Sequence, residues 1–563
     1  MLRRHVHGKI SGIMRRLLII PVFLMLLLAG AMILSGSAVE QKADFTYVDR
    51  ADVSTLDFPK LTYMQDIRVA YALWEGLYTL DTVNLDPVPG CAFPIEISED
   101  KKVYTFHIRP EAKWSNGDPV LARDFVFAWK RMLDEQAQYA ELFGYIEGAE
   151  EYEAAVAKGG HPDFSTVGIS TTSQDPRWLR VKLKNSTTFF PDLIAFAPFF
   201  PAHEKSMMEK DPNNMGQMRV NPAYTHPPTL VSNGPYRLDK WDFKRRLRMV
   251  ASDFYWDKPS VKSRVIDFLV IESPQNAYEA FNSGAIDWWV EVPGDIGGGL
   301  LRKKRDDLHI FTSFGTYFYS FNCQDKLPDG TDNPLKKIAV RQALSMAVEK
   351  QFLVDNIMRM GQPVATRYIP PGVFNGYVSP KGLPYDPARA RKLLADAGYP
   401  EGAGLPVFKL NFNNEGQHKE IAEYLQRQWK QNLNVTTELD GKELASYREQ
   451  LSNKKYSISR ASWYGDYNDP STFTDKYLPS SGNNDSDWRN ERFASLCSEA
   501  TRETDPAKRL RLFEQAETIL LEEAPIMPLY HYVNSGMFRN NVKGLPMNPR
   551  NMNMLKSAEV MPK

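Results

Sequence analysis

The 563-residue sequence predicts an α/β protein, and two observations carry that prediction. Short period-two runs that fit half-buried strands alternate along the chain with longer runs of 3.6-residue periodicity that fit amphipathic helices. The interleaving persists from about residue 45 to the C-terminus, which favours helices layered on sheet over a β-sandwich or a helix bundle. With 43% hydrophobic and 25% charged residues, the chain can fill several cores and is neither disordered nor fibrous.

At the N-terminus, Arg3, Arg4, Lys9, Arg15 and Arg16 precede an uncharged apolar run of 18 residues, Leu17 to Leu34, and then the small residues Ser35 to Ala38. That order is the pattern of an export signal, with cleavage expected after Ala38. The run is also just long enough to stay in a bilayer as an uncleaved anchor. No cysteine follows it to carry a lipid, so residues 1–38 are expected to export the chain to the periplasm. Farther on, strands are expected at Tyr104 to Arg109 and Val265 to Ile271, and helices at Arg389 to Ala397, Ile421 to Trp429 and Arg509 to Glu522. Asp386-Pro387 and Asp505-Pro506 each offer an N-cap carboxylate followed by proline at the first helical position, with Gly398 as a C-terminal stop. Gly297-Gly298-Gly299 reads as a flexible turn.

Composition and motifs exclude more than they select. Lys+Arg and Asp+Glu are both 69, so nothing points to nucleic acid or an anionic surface as the main partner. Cys91, Cys323 and Cys497 stand far apart and form no CxxC pair, which excludes a zinc ribbon or a disulfide scaffold. No two histidines have HExxH or HxxxH spacing, and there is no GxSxG elbow and no phosphate loop. Asp466, Asn468 and Pro470 begin like a calcium loop, but Ser471 and Tyr477 stand where glycine and glutamate are needed. No metal, no cofactor and no catalytic set is indicated, although an exported hydrolase is not excluded by spacing alone. The aromatic share of 12% fits a ligand cleft as well as core.

Several stretches do point to a family. Residues 74–77, 104–117, 124–129, 233–236, 340–344 and 390–398 fall in the order seen in the peptide-binding solute receptors of ABC importers, and the resemblance covers nearly everything after residue 45. Arg460 to Pro470 and Pro528 to Val533 most resemble the oligopeptide branch. The resemblance implies a two-lobed periplasmic binding protein fold of the class II type with an additional subdomain. It places lobe 1 at 45–315, with the extra subdomain at about 79–200, lobe 2 at 316–530, and a return to lobe 1 at 531–563. The implied function is capture of short peptides between the lobes and delivery to an inner-membrane ABC permease by a monomer without enzymatic activity. The same fold could instead hold a cell-wall peptide, a metal chelate, haem or a sugar.

The resemblance also implies a site. Asp466 matches the aspartate that pairs with the ligand's ammonium, and Arg460 the arginine that meets its carboxylate, a task suited to a planar fork of donors. His418 matches a histidine that serves the carboxylate of ligands of another length. Trp463, Tyr464, Gly465 and Tyr467 are expected to shape the neighbouring pocket, and Asp66 aligns with a carboxylate lining the cleft. Three departures stand out. Leu451 occupies the position of a further arginine, with Lys454 and Lys455 nearby as possible substitutes. The branch's paired cysteines fall at Gly315 and Tyr464. Tyr464 and Gly465 also alter the backbone beside the ammonium site.

Overall fold

The computed structural model describes residues 41–49, 51–479 and 481–562; the export segment expected at 1–38 lies outside them. Two long strands, Leu308–Phe321 and Ile526–Phe538, pair antiparallel in the middle of a ten-stranded sheet. Beyond Ile526–Phe538 the order runs Trp288–Trp289, Phe45–Val48, Val265–Leu269, Arg246–Ala251 and Tyr236–Asp242. Beyond Leu308–Phe321 it runs Ile458–Tyr464, Phe408–Asn413 and Thr437–Lys442. Both flanks contain parallel pairs, Phe45–Val48 with Val265–Leu269 on one and Phe408–Asn413 with Thr437–Lys442 on the other. Such pairs need helical crossovers and cover on both faces.

Each long strand meets one flank, through residues toward its C-terminal end. Trp288 and Trp289 pair with Phe538 and Met537, whereas Ile458–Tyr464 pairs with Gly315 to Phe321. Between these regions the register breaks: Thr312 lies opposite Val533, but the next pair is Thr316 with His531. Three residues on one strand therefore face one on the other, a bulge that kinks the pair where its neighbours change.

The hydrophobic cores divide at the same place. One joins residues from Phe45 to Val290 with Val542 to Ala558, and a smaller one packs Ala277, Phe281, Ile286 and Leu300 beneath Val48 and Met537. Two others lie on opposite faces of the second flank, one around Tyr317, Leu344, Leu410 and Trp429, the other around Phe318, Phe473, Phe493 and Phe513. A four-stranded antiparallel sheet, ordered Ala92–Ile97, Val103–Ile108, Trp178–Lys182 and Ile169–Thr171, lies within the 79–200 region. It is joined to the first core and has no separate one: Phe106, Leu179, Trp129 and Phe199 belong to the same buried cluster as Phe45 and Tyr236.

The caps behave as the sequence requires. Asp386 accepts the Arg389 amide at 2.9 Å and opens helix Pro387–Asp396, and Asp505 accepts that of Lys508 at 2.9 Å and opens Pro506–Glu523. Such a cap stabilises its helix by about 1 kcal/mol. Gly398, just past the first of these helices, has a φ of 94°, the left-handed stop. The triple glycine corrects the expectation of a flexible turn, because it lies inside helix Gly294–Arg302. A Cβ at Gly297 would come within 2.5 Å of Met360, so close packing, and not freedom, explains that glycine. All three cysteines are free thiols.

Candidate functional site

The strand Ile458–Tyr464 is paired along its whole length on one side only. On the other side, parallel pairing stops after Ile458 and Ser459 meet Leu410 and Asn411. From Arg460 to Tyr464 that edge has no strand partner among the described residues. Alternate N–H and C=O groups thus face outward, and such an open edge accepts another extended chain.

Arg460 stands at the start of this open edge. Its guanidinium lies between two tyrosine rings, 5.1 Å from the centroid of Tyr447 and 5.7 Å from that of Tyr317. One Nη donates to Tyr447 Oη at 3.3 Å and the other to His418 Nε2 at 2.9 Å, while Nε is buried without a partner. No carboxylate pairs with it among the described residues. Because Nε2 of His418 accepts from Arg460, its proton sits on Nδ1 and is donated to Tyr317 Oη at 3.0 Å. Burial, and secondly the Arg460 charge, lower the His418 pKa to about 3, so the ring stays neutral. His418 therefore supports Arg460 here and adds no charge of its own. Tyr530, stacked on Tyr317 at 4.8 Å, and Tyr532 complete the aromatic cup.

Asp466 stands beyond the other end of the edge. Its backbone N–H donates to Thr472 Oγ1 at 2.9 Å, but its carboxylate has no ion pair or side-chain hydrogen bond among the described residues. The residue is solvent-exposed, yet enough protein surrounds the carboxylate to desolvate it in part. This desolvation, and then the charge of Glu141, raise its pKa to about 6. Glu141 and Tyr139 come from the 79–200 region, and Asp466 in turn raises Tyr139. Glu141 thus adds to the negative charge around Asp466.

The other expected residues separate. Tyr464 is directly opposite Gly315 in the antiparallel register. Its ring lies over that glycine, where a Cβ would approach within 2.7 Å, and stacks on Tyr532 at 4.8 Å. The two positions matched to the family's cysteine pair are therefore cross-strand neighbours, and here a ring covering a glycine takes their place. Trp463 projects to the opposite face from Arg460, as alternation demands. There it donates Nε1–H to the Thr472 carbonyl at 2.7 Å and packs on the Phe318 and Phe473 core, with Lys476 over its ring at 4.9 Å. Gly465 donates its N–H to the Phe314 carbonyl at 2.9 Å, and a Cβ there would lie 2.1 Å from the Phe314 ring.

Tyr467 is 6% exposed and forms no wall of an open pocket. Asp66, at 0% exposure in helix Met64–Leu73, accepts the Ser54 N–H at 2.9 Å and the Ser54 hydroxyl. Burial raises its pKa, and it presents no open face to a ligand. Lys454 is paired with Asp487 at 3.2 Å, so it does not stand free to replace the missing arginine. Sequence reasoning passed over Tyr317, Tyr447, Tyr530, Tyr532 and Glu141. The period-two tyrosines at 317 and 319 and at 530 and 532 were the available signal for the cup.

An α/β body whose halves share two long strands, with an open strand edge bounded by an unpaired arginine and an unpaired aspartate, defines a two-lobed solute receptor. The chain belongs to the bacterial extracellular solute-binding proteins, family 5, whose model matches residues 86–485. It is 34% identical over 485 residues to the oligopeptide-binding protein OppA of Bacillus subtilis, covering 84% of this chain and 85% of the relative. It is 29% identical to the periplasmic murein peptide-binding protein MppA of Escherichia coli, over 91% of this chain and 92% of that one. Among solved structures, the unliganded open form of the murein tripeptide-binding protein MppA superposes with a TM-score of 0.77 at 28% identity, covering 92% of this chain and 98% of that one. Haemophilus influenzae OppA in complex with the peptide RPPGFSPFR superposes with a TM-score of 0.71 at 25% identity, over 93% of this chain and 100% of that one. These likenesses establish the two-lobed periplasmic binding protein fold.

Proposed function

We propose that this protein is a periplasmic receptor that captures short peptides between its lobes and delivers them, as a monomer and without covalent chemistry, to an inner-membrane ABC permease. The open backbone edge between Arg460 and Asp466 carries this reading. A peptide added there with its ammonium at Asp466 and its carboxylate at Arg460 runs antiparallel to the strand, and the edge offers it main-chain groups that every sequence can use. Six residue steps at about 3.3 Å span about 20 Å at most, which fits a peptide of about three to five residues after the reach of both side chains. Asp466 reads the ammonium, Arg460 the carboxylate, and His418 and Tyr447 hold Arg460 in place. Tyr464, with one face over Gly315 and 48% of its surface exposed, is a candidate platform for a ligand side chain.

We place lobe 1 at 45–315, including the 79–200 subdomain, lobe 2 at 316–530, and the return at 531–563. The separate cores and the register break between Thr312 and Thr316 support these boundaries and a hinge in the two long strands. The relatives named as oligopeptide-binding proteins support the peptide class. The match to a murein peptide-binding protein favours a second reading, in which the cargo is a cell-wall peptide.

Native mass spectrometry of the purified protein tests both readings. Release of peptides of about two to five residues is expected, by the span of the edge. Murein fragments alone would select the second reading. A protein that carries no peptide and binds none in calorimetry overturns the proposal, and progressive cleavage of an added peptide pool overturns the absence of catalysis.

A further inference from the structure

The first hydrophobic core has one buried member from the whole stretch between Leu308 and Asn541 among the described residues, and that member is Tyr467. Its ring stacks on Phe189 at 4.9 Å with an interplanar angle of 9°, and its hydroxyl lies 3.2 Å from that of Tyr145 and 3.1 Å from Ser471 Oγ. The next residue repeats the crossing: Asn468 N–H donates to Asp192 Oδ2 at 2.8 Å. Asp192 is 3% exposed, and its other oxygen is held by Arg550 at 2.9 Å. On the near side the turn is equally tied. Asp469 makes a two-pronged pair with Arg509 and accepts the Ser471 N–H at 3.0 Å, and Arg509 also lies 5.6 Å from the Phe189 ring.

Asp466 immediately precedes this docked dipeptide. Tyr145 terminates the short turn Ala140–Tyr145 that also carries Glu141, so the Tyr467 to Tyr145 contact brings together the chain segments bearing Asp466 and Glu141. Asp466 itself has no side-chain partner to fix it. Its position therefore depends on what holds the residues after it.

We infer that Tyr467 is a positioning residue of the ammonium site, which with Asn468 and Asp192 pins the Asp466 turn to the opposite lobe. The inference rests on the peptide reading for its consequence in binding, but the pin itself can be tested without any ligand. The socket is specific: an aromatic ring fits parallel to Phe189, and the hydroxyl meets Tyr145. A side chain that only filled space would hold the two halves together without orienting Asp466.

The test compares the full chain with Tyr467→Leu and Tyr467→Phe. Hydrogen exchange of residues 465–470 without ligand should accelerate about tenfold or more in Tyr467→Leu and stay near the parent rate in Tyr467→Phe, which keeps the stack. Calorimetry then uses one tripeptide in free, N-acetylated and C-amidated forms. Tyr467→Leu should lose about fivefold or more of the preference for the free amine while retaining the preference for the free carboxylate, because only one end is pinned this way. Unchanged exchange, or equal loss of both preferences, overturns the positioning role. If the parent protein binds none of the three ligands, the peptide reading fails, and the exchange rates alone decide whether Tyr467 pins the turn.

Discussion

The two ends of the Arg460 to Asp466 segment are prepared for opposite charges by opposite means. The cationic end is built from side chains packed directly on it: tyrosine rings flank the guanidinium, and a neutral histidine accepts from it. The anionic end has no such local support. Its carboxylate belongs to an exposed residue, lies in the field of Glu141, and is placed by contacts that the next two residues make across the molecule. The difference has a physical basis. Tyrosine faces and hydroxyls can surround a diffuse guanidinium without neutralising it, whereas a carboxylate given local donors would have little left for an ammonium.

Removing the anionic charge should have the largest effect. Asp466→Asn should weaken free-amine peptides by about 3 kcal/mol, on the order of a hundredfold, since the ligand's buried ammonium loses its partner. N-acetylated peptides should lose nothing further, and calorimetry of both forms decides the matter. Equal losses would dissolve the distinction between the ends.

Arg460→Met should cost tripeptides about 2 kcal/mol, with C-amidated analogues spared. A loss that is the same at every peptide length would make Arg460 a general structural cation and not the reader of one end.

Gly465→Ala probes the backbone beside Asp466. The new methyl would collide with the Phe314 ring, so thermal unfolding should show about 2 kcal/mol of destabilisation. Relief of that loss by Phe314→Leu would locate the clash.

The smallest effect should be the most diagnostic. Asp466 must be ionised to bind an ammonium, and desolvation, followed by the charge of Glu141, raises its pKa to about 6. Affinity for free-amine peptides should hold from about pH 7, where the peptide amine is largely protonated, to about 6 and then fall by up to about tenfold per unit. His418, at about 3, does not titrate there, so N-acetylated peptides should show a flat profile. Stability of the unliganded protein has the opposite sign. A carboxyl raised in the folded state favours the protonated form, so its contribution grows as pH falls from 6 toward the ordinary value of 3.8. Asp475 and Glu517, each raised to about 7 by burial, share that sign, and comparison with Asp466→Asn isolates the part due to Asp466.

Much of the fold was legible. The two Asp-Pro helix starts, the stop at Gly398 and the alternating strands needed only local rules, because caps and periodicity act over a few residues. The triple glycine misled for the converse reason: whether a glycine run is loose or tightly packed depends on what faces it, here Met360. Asp66 likewise reads as an available carboxylate until Ser54 is seen to occupy it.

The sequence by itself determined the α/β class, the family, and the order of charges along the segment from Arg460 to Asp466, since these rest on periodicity and motif order along one chain. Only the tertiary structure decided which of those residues face a common site. Alternation sends Trp463 to the far side of the sheet, register sets Tyr464 over Gly315, and contacts spanning hundreds of residues bury Tyr467 against Phe189 and tie Asn468 to Asp192. The physical reason is that a side chain's direction is a local property, while its neighbours are fixed by how strands and lobes pack.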